Sequence, residues 1–244
     1  MPSGGSRIEC TMKNISVIFF DIDNTLLNHT GAETRGIQHM QEKYFPLEDS
    51  QTFKSIWDKQ TKLFWQKFER KELTFAQQRT ERIKAIWQLY RKAITNEQSE
   101  KLFQEYLSSY ESSWKAFPEV IDVLERLNKQ GIRLGILSNG AKSQQLQKLQ
   151  IMGIDQYIDP KLLVVSEEAG FAKPEAQIFQ FAQERAQTSG SKILFIGDNP
   201  TVDIAPARKY GWNALLIDYF GKYPDTADIK SLAGLRNIVV IFKE

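Results

Sequence analysis

The sequence predicts an α/β fold, a doubly wound parallel sheet that carries an inserted all-helical segment. Five short apolar runs lack a polar alternate face, which is typical of strands buried on both sides. Helical patterns lie between the later runs, and strands that alternate with helices favour a parallel sheet. Residues 29–116 show helical periodicity and no convincing strand. We therefore expect the sheet to be interrupted after its first strand.

The apolar runs mark the predicted strands. In chain order they are residues 15–20, 133–137, 162–165, 193–196 and 214–217, with 238–242 as an edge strand. Three helices are predicted between them. The first has Pro118 at its first turn and Gly131 just past its end, the second contains Leu146 and Leu149, and Pro174 opens the third. These elements form the expected sheet domain.

The insert shows stripes of apolar residues at helical spacing. They are Phe53, Trp57, Phe64 and Phe68, then Ile83, Ile86, Trp87 and Tyr90, then Leu102, Phe103, Tyr106 and Tyr110. Aromatic stripes of this kind usually pack in a core. We expect the same of the four tryptophans of the insert, which are Trp57, Trp65, Trp87 and Trp114.

These patterns divide the chain into three parts. Residues 1–12 are rich in Gly, Ser and polar groups and lack the apolar centre of a signal peptide, so we expect a flexible leader. Residues 13–28 and 117–244 form the predicted sheet domain, and residues 29–116 form the predicted helical domain. The single cysteine, Cys10, excludes an internal disulfide framework and a cysteine metal site.

Composition narrows the class of protein. The chain has 244 residues, of which 41% are hydrophobic and 25% charged, as in ordinary globular proteins. A net charge of +2 gives no electrostatic reason to expect a nucleic acid polymer or a membrane as partner. No segment approaches the roughly 18 consecutive apolar residues of a membrane span. We expect a cytoplasmic protein.

Carboxylates follow two of the predicted strands. Asp21 and Asp23 come directly after the first strand, and Asp198 follows the fourth. Because the carboxyl ends of parallel strands share one edge of the sheet, these acids should lie together. They would repel one another unless a cation neutralised them. Carboxylates without nearby His or Cys make an oxygen site, which suits Mg²⁺.

Donors for an anion stand at the same edge. Ser138 offers a hydroxyl at the end of the second strand, and the amides of Asn139 and Gly140 are expected to open a helix, a common anion site. Lys173 supplies a compact positive charge. A phosphoryl group in transfer carries negative charge on its oxygens, so fixed donors of this type suit it.

Four segments together resemble motifs one to four of the haloacid dehalogenase superfamily, in the same order. They are 19–26, 137–140, 173–174 and 197–203. The resemblance implies a Rossmann-like core. The insert at 29–116 is similar to the helical cap of the subclass that carries its cap between motifs one and two.

The resemblance also implies roles for the acids. Asp21 would be the nucleophile that forms an aspartyl-phosphate, and Asp23 would protonate the leaving oxygen and later accept a proton from water. Mg²⁺ would be held by Asp21, Asp198 and the backbone carbonyl of Asp23. Asp203 would orient a metal-bound water or Lys173.

Further residues would bind the phosphoryl group. Thr25 would support the phosphorylated state, while Ser138, Asn139 and Lys173 would bind the phosphoryl oxygens. Dehalogenases of the superfamily lack the second acid of motif one, so Asp23 favours phosphatase or phosphomutase chemistry. Asn199-Pro200 departs from the usual motif-four sequence and should affect the shape of that loop.

The resemblance leaves the substrate, a small phosphate monoester, open. The position, length and aromatic content of the insert look most like those of 5′-nucleotidases. Phosphatases of sugar phosphates, phosphoglycolate or acylneuraminate 9-phosphate are alternatives, as is a phosphomutase. A regulatory protein on an inactive scaffold is disfavoured because every motif acid and Lys173 are present, and a receiver domain differs in length and motif order. We expect a monomer or a homodimer.

Overall fold

The structure is a computed structural model that describes residues 15–235. The predicted leader at 1–12, with Cys10, and the predicted strand at 238–242 lie outside the described residues. The chain forms two compact units. Among the described residues, one unit contains 15–28 and 115–235, and the other is His29–Trp114.

The first unit contains a parallel sheet, which confirms the predicted fold class. Its strands are β1 (Val17–Phe20), β2 (Arg133–Ser138), β3 (Leu163–Val165), β4 (Ile193–Gly197) and β5 (Asn213–Leu216). Among the described residues the sheet has the order β3-β2-β1-β4-β5, and every pairing is parallel. Nearly every strand residue is buried, as expected for a sheet covered on both faces.

The strand ends differ slightly from the predicted ones. β1 begins at Val17 rather than at residue 15. Ser16, just before it, already forms backbone hydrogen bonds on both sides: its amide donates to Lys192 O, and its carbonyl accepts from Arg133 N. β2 and β4 continue one residue further than expected, to Ser138 and Gly197. A run of apolar residues marks the buried part of a strand, whereas hydrogen bonding continues into polar residues beside it.

Helices connect the strands of the first unit. They are α5 (Val120–Lys129), α6 (Lys142–Ile151), α7 (Ser166–Ala169), α8 (Ala176–Ala186) and α9 (Ala205–Lys209). Each of the three predicted helices corresponds to one of these, namely α5, α6 and α8. Apolar residues of α8 pack with aromatic residues of the strands, as where Phe179 meets Phe195 with 6.1 Å between ring centroids.

The second unit is helical throughout. Its helices are α1 (His29–Tyr44), α2 (Ser50–Glu69), α3 (Phe75–Leu89) and α4 (Asn96–Ser112). α2, α3 and α4 carry the three apolar stripes, whereas no predicted stripe marks α1. Trp57, Trp87 and Trp114 are buried as expected, whereas Trp65 is 44% exposed. Across residues 15–235, no helix has both the length and the apolar character needed to cross a bilayer.

Candidate active site

The predicted polar residues meet at one edge of the sheet. β1 lies between β2 and β4, and all three run in the same direction. Asp21 follows β1, Ser138 ends β2, and Asp198 follows β4. Ligands of open parallel sheets bind outside the carboxyl ends of the strands. This edge is therefore the candidate active site.

A buried lysine joins two of the acids. Lys173 Nζ donates to Asp21 Oδ1 and to Asp203 Oδ1, each at 2.7 Å. The side chains of Lys173, Asp21 and Asp203 are only 3%, 9% and 2% exposed. Charges buried to this degree are costly unless they are paired and hydrogen-bonded. The three groups therefore form one fixed ionic network.

Two carboxyl groups of the site have raised pKa values. Burial raises the pKa of Asp21 to about 6, with repulsion from Asp203 and Asp23 adding to it and Lys173 opposing it. Burial also raises the pKa of Asp198 to about 7, with Asp21 and Asp203 adding to it. Burial alone would lower the pKa of Lys173, but attraction to Asp21 and Asp203 raises it above its usual value. The site holds more negative charge than Lys173 neutralises.

The same acids fit a divalent cation. Asp21, Asp198 and Asp203 each offer a carboxylate oxygen, and these oxygens lie within 4.8 Å of one another. Oxygen ligands of this kind suit Mg²⁺, which favours a few carboxylates together with water and phosphate. Burial and mutual repulsion raise the pKa values of Asp21 and Asp198, and a bound cation would offset both effects. The donor set therefore fits the expected Mg²⁺.

A turn of π-helix, Pro200–Ile204, holds Asp203 in the site. Asn199 begins this turn, and its side chain accepts hydrogen bonds from Thr201 N and Val202 N. Asn199 N in turn donates to Asp203 Oδ2 at 3.1 Å. A Cβ atom at Gly197 would lie 2.6 Å from Asp203 Oδ2, so only glycine leaves room for this carboxylate. Asn199 thus gives the loop its shape.

A tight turn presents the residues after β1. Ile22 O accepts hydrogen bonds from the amides of Thr25, Leu26 and Leu27, and Asn24 has a φ of 59°, in the left-handed region. Thr25 is fully buried, and its hydroxyl has no hydrogen-bond partner among the described residues. A buried hydroxyl without a partner is costly. Thr25 therefore offers an unused donor beside the acids.

Asn139 is positioned in a way that the sequence did not predict. Its side chain accepts from Lys173 N at 2.8 Å and donates to Lys173 O at 3.0 Å. Ser138 beside it is 2% exposed. α6 begins at Lys142 rather than at Asn139, and the amide of Gly140 donates to Ser166 Oγ. The Asn139 side chain therefore holds the backbone that carries Lys173.

Asp23 pairs with a lysine that the sequence did not single out. Lys148 Nζ donates to both carboxylate oxygens of Asp23, at 2.8 Å each. Lys148 lies on α6 and is 2% exposed, and Gln145, one turn earlier, is 1% exposed. Gln145 Nε2 donates to Asn139 O. The spacing of Gln145 and Lys148, which puts both on one face of the helix, was the available signal.

Comparison with protein families extends these observations. The model of a family described as haloacid dehalogenase-like hydrolase matches residues 15–211. The pyrimidine 5′-nucleotidase YjjG of Escherichia coli strain K12 is 30% identical over 77% of this chain and 79% of its own length. The glyceraldehyde 3-phosphate phosphatase of Methanocaldococcus jannaschii is 31% identical over 53% of this chain. That match spans 59% of the relative, less than two thirds of its length.

Solved structures share the fold. The putative hydrolase YfnB of Bacillus subtilis, crystallised with bound magnesium, superimposes with a TM-score of 0.73 and 25% sequence identity. The match covers 93% of this chain and all of that one, 100%. The likeness therefore includes the helical unit as well as the sheet.

Proposed function

Since the chain belongs to the haloacid dehalogenase-like hydrolase family, we propose that it is a Mg²⁺-dependent phosphatase of small phosphate monoesters. The observation that carries this proposal is the buried Lys173, which bonds to both Asp21 and Asp203. A nucleophilic carboxylate must be held in one orientation, and its repulsion from neighbouring carboxylates must be offset. The ammonium group of Lys173 can do both. Named phosphatases and a nucleotidase among the relatives support the same reaction class.

In this proposal Asp21 attacks phosphorus. Lys173 bonds to Oδ1 of Asp21, which leaves Oδ2 to form the new bond while the bond from phosphorus to the leaving oxygen breaks. Asp23 gives its proton to that leaving oxygen. Asp23 then takes a proton from the water that attacks the aspartyl-phosphate, which releases phosphate and restores the Asp21 carboxylate.

Other groups bind the phosphoryl oxygens. Lys173, Ser138 and the backbone amide of Asn139 surround them, and the buried Thr25 hydroxyl supports the phosphorylated Asp21. Asp21, Asp198 and the carbonyl of Asp23 would hold Mg²⁺, with Asp203 beside them. When bound, Mg²⁺ supplies positive charge that offsets the charge of the carboxylates and phosphoryl oxygens.

Nucleoside monophosphates are the substrates we propose first. A relative that is 30% identical and aligns over about three quarters of both chains is a pyrimidine 5′-nucleotidase. Sugar phosphates are the second candidate, because another relative is a glyceraldehyde 3-phosphate phosphatase. We also propose that the helical unit serves as the cap of this family. The cytoplasmic location and the monomeric or homodimeric state remain predictions from the sequence.

Phosphate release from a panel of monoesters tests the proposed function. The panel contains nucleoside 5′-monophosphates, sugar phosphates and p-nitrophenyl phosphate, with Mg²⁺ or with EDTA. We expect release with Mg²⁺ and at least a ~100-fold loss with EDTA. A phosphomutase would instead rearrange the substrate without free phosphate. Absence of release from every monoester would contradict the proposal.

Binding of Mg²⁺ should stabilise the protein more at alkaline pH. The pKa values of Asp21 and Asp198, about 6 and about 7, exceed the usual 3.8 of the unfolded chain. Between pH 3.8 and about 7 the folded protein therefore binds more protons than the unfolded chain does. Without metal, its stability falls as the pH rises through this range. Mg²⁺ needs ionised ligands, so we expect ~1–3 kcal/mol of stabilisation at 10 mM Mg²⁺ and pH 8, and much less at pH 5.

Thermal unfolding with and without 10 mM Mg²⁺ at the two pH values measures this effect. Asp198→Asn is the matched control, because it removes one ligand and should abolish most of the shift in Tm. Equal shifts at pH 5 and pH 8 would mean that Mg²⁺ binds elsewhere.

A further inference from the structure

We propose that Lys148 is a positioning residue, which fixes the Asp23 carboxyl group while that group exchanges protons with the leaving oxygen and with water. The proposal rests on the phosphatase function proposed above. It assigns to α6 a part in the reaction that none of the four motifs contains, since Lys148 lies outside all of them.

The contact is symmetrical and buried on the lysine side. Lys148 Nζ lies 2.8 Å from Asp23 Oδ1 and 2.8 Å from Asp23 Oδ2. The Lys148 side chain is 3% exposed, whereas that of Asp23 is 34% exposed. A buried ammonium is costly without a partner, so this pair restrains both side chains.

The backbone on both sides of the pair is also fixed. Three amides of the turn after β1 converge on Ile22 O, and this turn sets the Cα–Cβ direction of Asp23. On α6, Gln145 Nε2 bonds to Asn139 O, which ties the helix to the loop after β2. Only the two side-chain torsions of Asp23 remain, and the bonds from Lys148 fix them.

Proton transfer depends steeply on position. A general acid must come within about 3 Å of the oxygen it serves, and misplacement by 1 Å costs on the order of 10²-fold. This cost depends on the leaving group. An alkoxide needs its proton as the bond breaks, whereas p-nitrophenolate leaves as a stable anion. The ratio kcat/KM reports only the steps up to departure of the leaving group, so it separates this step from the later attack of water.

The test compares Lys148→Met with wild type on two substrates, an alkyl monoester from the active panel and p-nitrophenyl phosphate. We expect kcat/KM to fall about 100-fold for the alkyl ester and less than about tenfold for p-nitrophenyl phosphate. The control is Lys142→Met, which removes an exposed lysine of the same helix that pairs with Glu168. It should leave the ratio of the two substrates unchanged.

A second comparison tests whether Lys148 acts through Asp23. In the Asp23→Asn background, Lys148→Met should lower kcat/KM for the alkyl ester by less than about threefold. The double variant buries no unpaired charge, so it serves even if Lys148→Met alone folds poorly. Equal losses on both substrates, no loss, or a full additional loss in the Asp23→Asn background would each overturn the proposal.

Crystal structures of wild type and Lys148→Met give a readout that needs no activity. We expect the Asp23 carboxyl group to move by more than about 1 Å, or to adopt two orientations, when Lys148 is replaced. An Asp23 that stays in place would overturn the proposal. If wild type releases phosphate from no monoester, the proposed function fails, while these structures still decide the role of Lys148.

Discussion

Replacing Asp21 by Asn is expected to abolish phosphate release. The amide is isosteric but does not attack phosphorus, so kcat/KM should fall by at least about 10⁴-fold. The fold should survive, because ionised Asp21 is itself disfavoured by burial at neutral pH, with a pKa of about 6. Phosphate release from p-nitrophenyl phosphate and a thermal unfolding curve measure the two properties.

A matched control separates the nucleophile from a general effect of charge. Asp122→Asn changes an exposed acid of α5 and should leave both activity and Tm unaltered. Turnover by Asp21→Asn within tenfold of wild type would remove Asp21 from the nucleophilic role. The aspartyl-phosphate would then have to form on another acid or not at all.

Replacing Lys173 by Met should reduce both activity and stability. Activity should fall about 10³-fold, because the phosphoryl group loses a fixed cation and Asp21 loses its restraint. Stability should fall by ~3–5 kcal/mol at pH 8, because two buried carboxylates lose the ammonium that lies 2.7 Å from each. The loss should shrink toward pH 5, where the Asp21 carboxyl group, whose pKa is raised to about 6, takes up a proton.

Urea unfolding at the two pH values, together with phosphate release, measures these effects. Lys192→Met, at an exposed lysine just before β4, is the control and should change neither quantity. A Lys173→Met protein that unfolds at the same urea concentration as wild type at pH 8 would show that the ionic network does not stabilise the fold.

The sequence predicted the sheet well because strands of a parallel sheet that are buried on both faces have uninterrupted apolar sequences. It also predicted where the acids lie, since their positions follow from the strand ends. α1 was not recognised separately, because a helix that buries Gly36 and Gln41 beside Ile37 and Met40 shows little apolar periodicity.

The contacts that orient the site were not predicted. Lys148 and Gln145 are polar residues on a helix, and polar residues of a helix are ordinarily taken to be exposed. The bonds of Asn139 to the Lys173 backbone join residues distant in sequence, and no periodicity describes them. The sequence therefore predicted the candidate reacting groups, but it did not predict the contacts of Lys148 with Asp23 or of Gln145 with Asn139 O.

The order of the strands has a consequence for how the chain folds during synthesis. Among the described residues, β1 is the first strand along the chain and the central strand of the sheet, and its first partner comes only after the helical unit, where Arg133 pairs with Val17. The contiguous residues 29–114 make their contacts locally and can fold early, whereas pairing of β1 must close a long loop. A nascent chain that stops before β2 therefore exposes a strand of Val, Ile and Phe, which is the state most open to aggregation or chaperone capture.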